Sequence, residues 1–311
     1  MNYSHYEMLS STNQALSTYF WAPDSEPVCI LFIVHGMCEH MSRYDDFARF
    51  LAQKQIAVIG LDLPGHGASA QEGFGFFAKK DGYQYAAECI LQLKDTVKET
   101  FPSTPLFLMG HSMGSFFARY IAAQNLSDID GYIFSGTAGP NIATAIGKAL
   151  ARGQMLFMGK KHPGTLLQNM AFKLYNKPFF PNRTPFDWLS RDENAVDRYI
   201  ADEKCGFVFT VSGFYDLFSL LQTVSLPHWA TRFDRTKPYL LLSGLMDPVG
   251  SMGKGVQKVY DRMREAKIKN LSLLLYPHGR HEMLNEVNKT EVYEDIYAFI
   301  KKNILGAGHE N

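Results

Sequence analysis

The sequence predicts an α/β fold, in which a mostly parallel sheet flanked by helices carries a mainly helical insertion. Short apolar runs alternate with longer amphipathic segments, which is typical of parallel strands joined by helices that cover both faces of a sheet. Several runs lack a polar residue at every second position, as expected of strands buried on both faces. The alternation stops between Gly136 and Lys237, where we predict the insertion.

Six apolar runs are the predicted strands of this sheet: residues 28–34, 56–61, 106–109, 131–135, 239–243 and 271–276. Residues 3–23 are expected to form an antiparallel hairpin at the sheet edge. Apolar residues at helical spacing predict helices over residues 43–53, 83–100 and 256–266.

The break in the alternation divides the chain into two predicted parts. Residues 1–136 and 238–311 form the core, and residues 137–237 form the insertion. A segment of this length is expected to have a structure of its own, because long connections without secondary structure are uncommon in compact domains. We therefore interpret the insertion as a helical cap that lies on the core.

Composition and charge exclude several classes of protein. The chain contains 46% hydrophobic and 20% charged residues, as in an ordinary globular domain. Its formal net charge is zero, which argues against a nucleic-acid partner. The four cysteines include no C-x-x-C pair, and neither a signal peptide nor a membrane-length apolar run is evident. These features predict a soluble cytoplasmic protein.

The residues Gly110 to Gly114 match the pattern G-x-S-x-G, in which the serine is Ser112. The predicted strand 106–109 comes directly before the pattern, and an apolar helical segment, residues 115–123, comes directly after it. A serine on such a strand-to-helix turn has its Oγ lifted out of the sheet, and the helix N-terminus favours developing negative charge. We therefore predict that Ser112 is a nucleophile.

A nucleophilic serine also needs two donors for the oxyanion that forms on the carbonyl it attacks. The backbone N–H of Met113 follows the nucleophile directly, and Met37 lies in the loop after strand 28–34. We predict these two amides as the donors. His35, at the start of the same loop, is expected to shape the loop.

The base that activates the serine is predicted to be His281, in the loop that follows the last strand. His278 is the rival, but it directly follows Pro277 at the strand exit and is expected to shape the turn. His111, beside the serine, is expected to point away from the pocket.

The acid that orients the base is predicted to be Asp247, in the loop after strand 239–243. The resulting chain order of serine, acid and histidine is the one expected for a serine on a strand-to-helix elbow. Asp216 is the alternative acid, but it follows no predicted core strand. Two further patterns are set aside: the histidines at 278 and 281 lack other metal ligands nearby, and residues 73–78 follow no strand that would make them a dinucleotide loop.

These motifs together resemble the α/β-hydrolase fold, in particular its branch of monoacylglycerol lipases and lysophospholipases, also called serine aminopeptidase-like hydrolases. Residues 35–44 resemble the signature H-G-x-x-E-H-x-x-R-Y of that branch, and residues 62–69 resemble its turn D-x-P-G-H-G-x-S. Residues 110–115 resemble its G-H-S-M-G-S elbow. Residues 247–249 and 280–282 resemble its acid and base segments. We expect the 62–69 turn to be part of the scaffold.

The resemblance implies that the protein cleaves an acyl ester, either a monoglyceride or a lysophospholipid, through an acyl-enzyme and without a metal or cofactor. A short-chain carboxylesterase, a peptidase or an acyltransferase on the same residues stays open, as does a non-catalytic ligand-binding protein. The oligomeric state is not predicted.

The insertion occupies the place of the family's cap, and its apolar residues allow two interpretations. One set either lines an acyl-chain tunnel or packs the cap against the core: Met155, Phe157, Met158, Phe179 and Phe180. Residues 142–150 can form part of an amphipathic helix that contacts a lipid surface.

Overall fold

An eight-stranded sheet lies at the centre of the computed structural model, which describes residues 1–306. The strands follow the order β1-β2-β4-β3-β5-β6-β7-β8 across the sheet. Their bounds are β1 Asn2–Leu9, β2 Ala15–Ala22, β3 Cys29–Val34, β4 Ile56–Leu61, β5 Leu106–His111, β6 Gly131–Ser135, β7 Pro238–Gly244 and β8 Asn270–Tyr276. Each of the six predicted runs corresponds to one of the strands β3 to β8.

The pairing of the strands confirms the predicted mostly parallel sheet. Strands β3 to β8 run parallel to one another, whereas β1 and β2 form the antiparallel hairpin at the edge. Strand β2 joins the hairpin to β4, also antiparallel. Because β3, β5, β7 and β8 all point the same way, the loops that follow them emerge at one edge of the sheet.

Helices cover both faces of the sheet. Their bounds are α1 Asp45–Gln53, α2 Gly82–Thr100, α3 Met113–Ala122, α4 Ala143–Met158, α5 Thr165–Phe172, α6 Glu193–Ala201, α7 Val211–Thr223, α8 Lys254–Glu265 and α9 Lys289–Gly306. The predicted helices 43–53, 83–100 and 256–266 correspond to α1, α2 and α8. None of the helices within residues 1–306 is long and apolar enough to cross a membrane.

The sheet separates two hydrophobic cores, and β3 contributes to both. Ile30 and Phe32 lie in a core formed with α2, α3, α7 and α8, while Leu31 and Ile33 lie in a core formed with α1 and α9. This alternation explains why the strand is apolar at every position. Burying each of these side chains stabilises the fold by roughly 1.5–3 kcal/mol.

The chain between β6 and β7 contains helices α4 to α7 and short 3-10 turns, and none of the sheet's eight strands. This matches the predicted mainly helical insertion. However, Phe214, Leu217 and Leu220 of α7 belong to the same buried cluster as the sheet residues. The division into a core and a cap at residues 136 and 238 therefore stays a proposal.

Candidate active site

The loops after β3, β5, β7 and β8 surround one cavity of about 400 Å³. Each of these strands contributes at its carboxyl end, where sites form in open parallel sheets. The residues of these loops that line the cavity are Gly36, Met37, Cys38, Glu39, Ser112, Met113, Val249, His281 and Glu282, and His111, the last residue of β5, joins them.

Ser112 lies on the sharp turn between β5 and α3, as the G-x-S-x-G pattern predicts. Its backbone has φ +51° and ψ −119°, a conformation that is strained for a residue with a side chain and costs about 1–3 kcal/mol. The amide of Ser112 donates to the carbonyl of Ser135 at 2.8 Å, which ties the turn to β6.

The two glycines of the pattern permit this tight turn. A Cβ on Gly110 would lie 2.1 Å from the carbonyl oxygen of Gly114. A Cβ on Gly114 would lie 2.0 Å from the carbonyl oxygen of Val34, in β3. Both distances are far below van der Waals contact, so only glycine allows the turn to pack this closely.

His281 and Asp247 form a buried pair, and His281 lines the same cavity as Ser112. His281 Nδ1 lies 3.0 Å from Asp247 Oδ2, and the two side chains are 3% and 0% exposed. Asp247 also accepts hydrogen bonds from the amide of Val249 at 2.8 Å and from the hydroxyl of Ser243 at 3.1 Å. The acid is therefore held from three sides, and its contact with Nδ1 leaves His281 Nε2 for another partner.

The electrostatic surroundings of His281 favour its charged form. Burial lowers the pKa of the imidazole, but the charge and hydrogen bond of Asp247 raise it more, so the net pKa is above its ordinary value. His111 lies next to His281 with ring centroids 4.8 Å apart. Burial, followed by repulsion from His281, lowers the pKa of His111 to about 4, so it is neutral at neutral pH.

The amides predicted as oxyanion donors both belong to residues that line the cavity. Met113 is the first residue of α3, so its N–H has no acceptor within the helix. Met37 follows Gly36 in the loop after β3. Among the hydrogen bonds of residues 1–306, neither amide donates to a protein acceptor. Both N–H groups are therefore free to bind an incoming oxygen.

The rival base and the rival acid lie elsewhere. His278 is exposed in the turn after β8 with φ +61°, in agreement with a turn-shaping role. Asp216 is buried on α7 and packs against the start of α2, where a Cβ on Gly82 would lie 2.2 Å from Asp216 Oδ2. It borders a different cavity from Ser112. The contact geometry thus pairs His281 with Asp247 rather than with Asp216.

Two predicted scaffold elements hold the loop after β3. His35 is fully buried, with Nδ1 2.8 Å from the carbonyl of Gly36 and Nε2 accepting from the amide of Leu63 at 2.9 Å. Asp62 accepts hydrogen bonds from the amides of Met41 and Ala68, each at 2.8 Å. The 62–69 turn therefore supports the loop that carries Met37.

Two predictions about the cavity require correction. His111 was expected to point away from the pocket, but it lines the cavity, with Nδ1 3.2 Å from the hydroxyl of Ser135. The tunnel interpretation of five apolar residues of the insertion is also wrong, because none of them belongs to the cavity wall: Met155, Phe157, Met158, Phe179 and Phe180.

The surroundings of these five residues explain the second correction. Phe157 and Phe180 are 92% and 83% exposed, and Met158 is also exposed. Met155 borders the cavity beside Asp216, and the ring of Phe179 packs under Arg280. The apolar stretch at the end of α4 thus faces away from Ser112, which apolar composition alone does not reveal.

The apolar wall of the cavity comes from other residues of the insertion and from α3. They are Phe116, Phe172, Tyr175, Phe186, Trp188, Leu189, Phe207, Leu217, Phe218 and Leu221. Three of them, at positions 217, 218 and 221, form one face of α7 at helical spacing. That spacing is visible in the sequence, but it signals only a buried face.

One group of possible metal ligands occurs within the described part of the chain. The ligand atoms of His40, Asp202 and Cys205 lie within 4.8 Å of one another. His40 Nε2 is 2.7 Å from Asp202 Oδ2, and its Nδ1 is 2.8 Å from the hydroxyl of Ser42. Hydrogen bonding between the β3 loop and the segment after α6 accounts for this arrangement.

Comparison with known proteins places the chain in a family. The family model "Serine aminopeptidase, S33" matches residues 25–288. The monoglyceride lipase of Mus musculus is 27% identical, with 97% of this chain and 91% of the relative covered. The monoacylglycerol lipase of Mycolicibacterium smegmatis is 25% identical, with 91% of this chain and 92% of the relative covered.

Solved structures agree with this result. A thermostable carboxyl esterase from Bacillus coagulans, in complex with glycerol, superposes with a TM-score of 0.91 at 26% identity, covering 98% of this chain and 99% of the esterase. A monoglyceride lipase from Saccharomyces cerevisiae, with a TM-score of 0.74, 18% identity and coverage of 97% and 95%, shares the fold. The chain therefore belongs to the serine aminopeptidase S33 family and has the α/β-hydrolase fold.

Proposed function

We propose that the protein cleaves acyl esters with Ser112 as nucleophile, His281 as general base and Asp247 as the acid that orients the base. The proposal rests on one observation: Ser112 and His281 line the same cavity, and Asp247 Oδ2 lies 3.0 Å from His281 Nδ1. A serine is a weak nucleophile until a neighbouring base removes its proton. A buried carboxylate at Nδ1 keeps Nε2 as the proton acceptor.

The proposed reaction has two halves. Ser112 Oγ attacks the ester carbonyl while His281 Nε2 takes the hydroxyl proton, and the N–H groups of Met37 and Met113 bind the oxyanion. His281 then donates this proton to the leaving alcohol, which leaves an acyl group on Ser112. In the second half, His281 takes a proton from water, the resulting attack releases the fatty acid, and the proton returns to Ser112.

The substrate that we propose is a monoacylglycerol or a lysophospholipid. At the level that the relatives share, the protein is a carboxylic ester hydrolase. The apolar wall of the cavity suits a fatty acyl chain, and its volume of about 400 Å³ lies within the range of small-molecule sites. The relatives named monoglyceride lipase and the glycerol-bound esterase favour a glyceride.

Hydrolysis of p-nitrophenyl esters and monoacylglycerols of rising chain length tests the proposal. We expect activity that peaks at medium or long chains and a loss of roughly 10⁶-fold in kcat for Ser112→Ala. A fluorophosphonate probe should label the wild-type protein and spare the variant. Silence across the panel, with no labelling of Ser112, would overturn the proposal.

The ester panel, together with peptide substrates, an added acceptor alcohol and a ligand-binding measurement, separates the alternatives. Activity confined to acetate and butyrate would indicate a short-chain carboxylesterase. Release of an N-terminal residue from peptides would indicate a peptidase, and transfer of the acyl group to an added alcohol would indicate an acyltransferase. Tight binding of a small ligand without turnover would indicate a non-catalytic binding protein.

We also propose that the cap contacts a lipid surface. Ile142, directly before α4, and Ile146 and Leu150 on α4 are exposed at helical spacing, and Leu166 and Met170 are exposed on α5. Exposed apolar stripes of this kind mark interaction sites more often than scattered single residues do. The cytoplasmic location of the protein stays a prediction.

Flotation with vesicles of zwitterionic lipid tests this contact. Ile146→Asp should reduce the bound fraction, because it places a charge in the apolar stripe. Val287→Asp is the matched control, since Val287 is similarly exposed but follows β8 rather than lying on the cap. Equal flotation of the two variants and the wild-type protein would remove the proposal.

A further inference from the structure

Glu39 and Glu282, which line the cavity, form a buried ion network with Arg43, and none of the three has a role in the reaction proposed above. Arg43, at the end of the β3 loop, donates to Glu39 Oε2 at 2.6 Å. It also donates to both carboxylate oxygens of Glu282, at 2.8 and 2.6 Å. The three side chains are 12%, 4% and 7% exposed, so the ions are largely removed from water.

One end of this network holds the loop of the proposed oxyanion donor. Glu39 Oε1 accepts the amide of Gly36 at 2.5 Å and the hydroxyl of Tyr44 at 2.9 Å. A Cβ on Gly36 would lie 2.7 Å from this carboxylate oxygen and 3.3 Å from Ser112 Cβ. The carboxylate therefore packs directly against the residue that precedes Met37.

The other end holds the loop of the proposed base. Glu282 directly follows His281, and its amide donates to the carbonyl of Leu189 at 2.7 Å. Its Oε2 also accepts from the side chain of Asn285 at 2.9 Å. Because Glu282 is bound on its backbone and its side chain, a shift of this residue would displace His281.

Arg43 therefore joins two loops that are far apart in sequence. We propose that Arg43 is a positioning residue, which holds the amide of Met37 and the imidazole of His281 in the relative placement that one ester carbonyl requires. The inference rests on the proposed function, since it concerns the same reaction. Misplacement of a reacting group by about 1 Å can cost about 10²-fold in rate.

The charged groups of this network also affect the pKa of His281, the proposed base. The titratable groups that face His281 are Asp247, Glu282, Glu39 and His111. Arg43 opposes the burial of Glu39 and Glu282 and keeps the pKa of both carboxyls below the ordinary value. Loss of Arg43 would leave more uncompensated negative charge near His281, which favours the imidazolium form.

Three variants test the role of Arg43: Arg43→Met, Arg43→Lys and the matched control Arg49→Met. Arg49 also forms an i,i+4 ion pair, with Asp45, but lies exposed on α1. The measurements are kcat and KM for a p-nitrophenyl ester, divided by the active sites that a fluorophosphonate titrates. This division removes misfolded protein from the comparison.

We expect Arg43→Met to lower kcat about 10²-fold per titrated site with KM within about threefold. The acidic limb of its pH profile should move to higher pH, which a purely structural role would not cause. Arg43→Lys keeps the charge but not the two-pronged contact, so we expect about a tenfold loss. Arg49→Met should match the wild-type protein.

Glu282→Gln supplies a second measurement that does not depend on the stability of the Arg43 variants. It removes one negative charge near His281 and keeps the shape of the side chain, so its acidic limb should move to lower pH. A kcat per titrated site within threefold of wild type in Arg43→Met, or an acidic limb that stays in place in both variants, would overturn the inference. A wild-type protein that neither reacts with the probe nor turns over esters would instead contradict the proposed function.

Discussion

The two walls of the cavity are built by different means. The wall at the sheet edge consists of strand-end loops in which polar groups are buried and bonded, such as Asp247 with its three partners. The opposite wall consists mainly of apolar side chains from the segment between β6 and β7, such as Leu217, Phe218 and Phe172. Under the proposed function, the first wall supplies the reacting groups and the second wall selects the substrate.

The two walls differ in the interactions that determine the positions of their side chains. Strand pairing and hydrogen bonds fix the side chains of the first wall, and proton transfer requires reacting groups held to within about 0.5 Å of the productive geometry. Apolar packing tolerates exchange of side chains of similar volume, so the second wall can change its shape without loss of the fold. Mutations in the two walls should therefore have effects of different size and kind.

Among the changes that compare the two walls, the largest effect is expected from Asp247→Asn, at the sheet edge. This change removes the charge that orients His281 and stabilises its protonated form, and we expect kcat to fall about 10⁴-fold with little change in KM. Asp216→Asn is the control, because Asp216 is the acid that the geometry leaves unpaired with a histidine. Steady-state kinetics that show the greater loss for Asp216→Asn would reverse the assignment.

The pH dependence of kcat/KM gives the next largest effect. His281 acts as a base only when neutral, and Asp247 raises its pKa above the ordinary value of about 6.5 despite burial. Activity should therefore fall tenfold for each pH unit below a midpoint that lies above pH 6.5. A midpoint below pH 6.5, measured with an uncharged ester, would contradict this electrostatic picture.

The helical wall should give a smaller and more selective effect. Leu221→Phe adds volume to the apolar wall, and we expect kcat/KM for long-chain esters to fall about tenfold while acetate is cleaved at the wild-type rate. Phe157→Ala, on the exposed end of α4, should leave both rates unchanged for soluble esters. An equal loss on acetate and long chains in Leu221→Phe would show that the two walls are not separable.

The smallest effect is on stability. Burial raises the pKa of Asp216 from the ordinary value of 3.8 to about 7. Between pH 3.8 and pH 7, the Asp216 carboxyl is therefore protonated in the folded state and ionised in the unfolded chain. The free energy of unfolding therefore falls as the pH rises through this window. From pH 5 to pH 8, the Tm of the wild-type protein should fall by roughly 2–6 °C more than the Tm of Asp216→Asn. If the Tm values of the two proteins changed equally with pH, Asp216 would not be the cause of this pH dependence of stability.

The central strands could be predicted because burial on both faces imposes a strong pattern. The runs 28–34 and 56–61 agree with β3 and β4 to within one residue at each end. Helix α9, by contrast, was not among the predicted helices, although Val292, Ile296 and Ile300 form its buried face at helical spacing. A mixed apolar and charged segment of this kind gives a weaker signal than an unbroken apolar run.

The elbow around Ser112 could be predicted because local sterics determine it. Gly110 and Gly114 permit close packing that any side chain would block, and this requirement is visible in five consecutive residues. The loops of Asp247 and His281 could be predicted from the strands before them, because parallel strands end at a common edge. The catalytic roles of the three residues stay proposals for the experiments above.

The sequence by itself determined the order of the strands along the chain, the sharp turn at Ser112 and the loops that hold its partners, because each depends on neighbouring residues. Only the tertiary structure decided which apolar side chains face the cavity. Phe157 is exposed to solvent, whereas Phe218 lines the cavity. The tertiary structure also brought Arg43 to Glu282, 239 positions away along the chain. Contacts of this kind depend on how whole helices and loops pack, which no short stretch of sequence specifies.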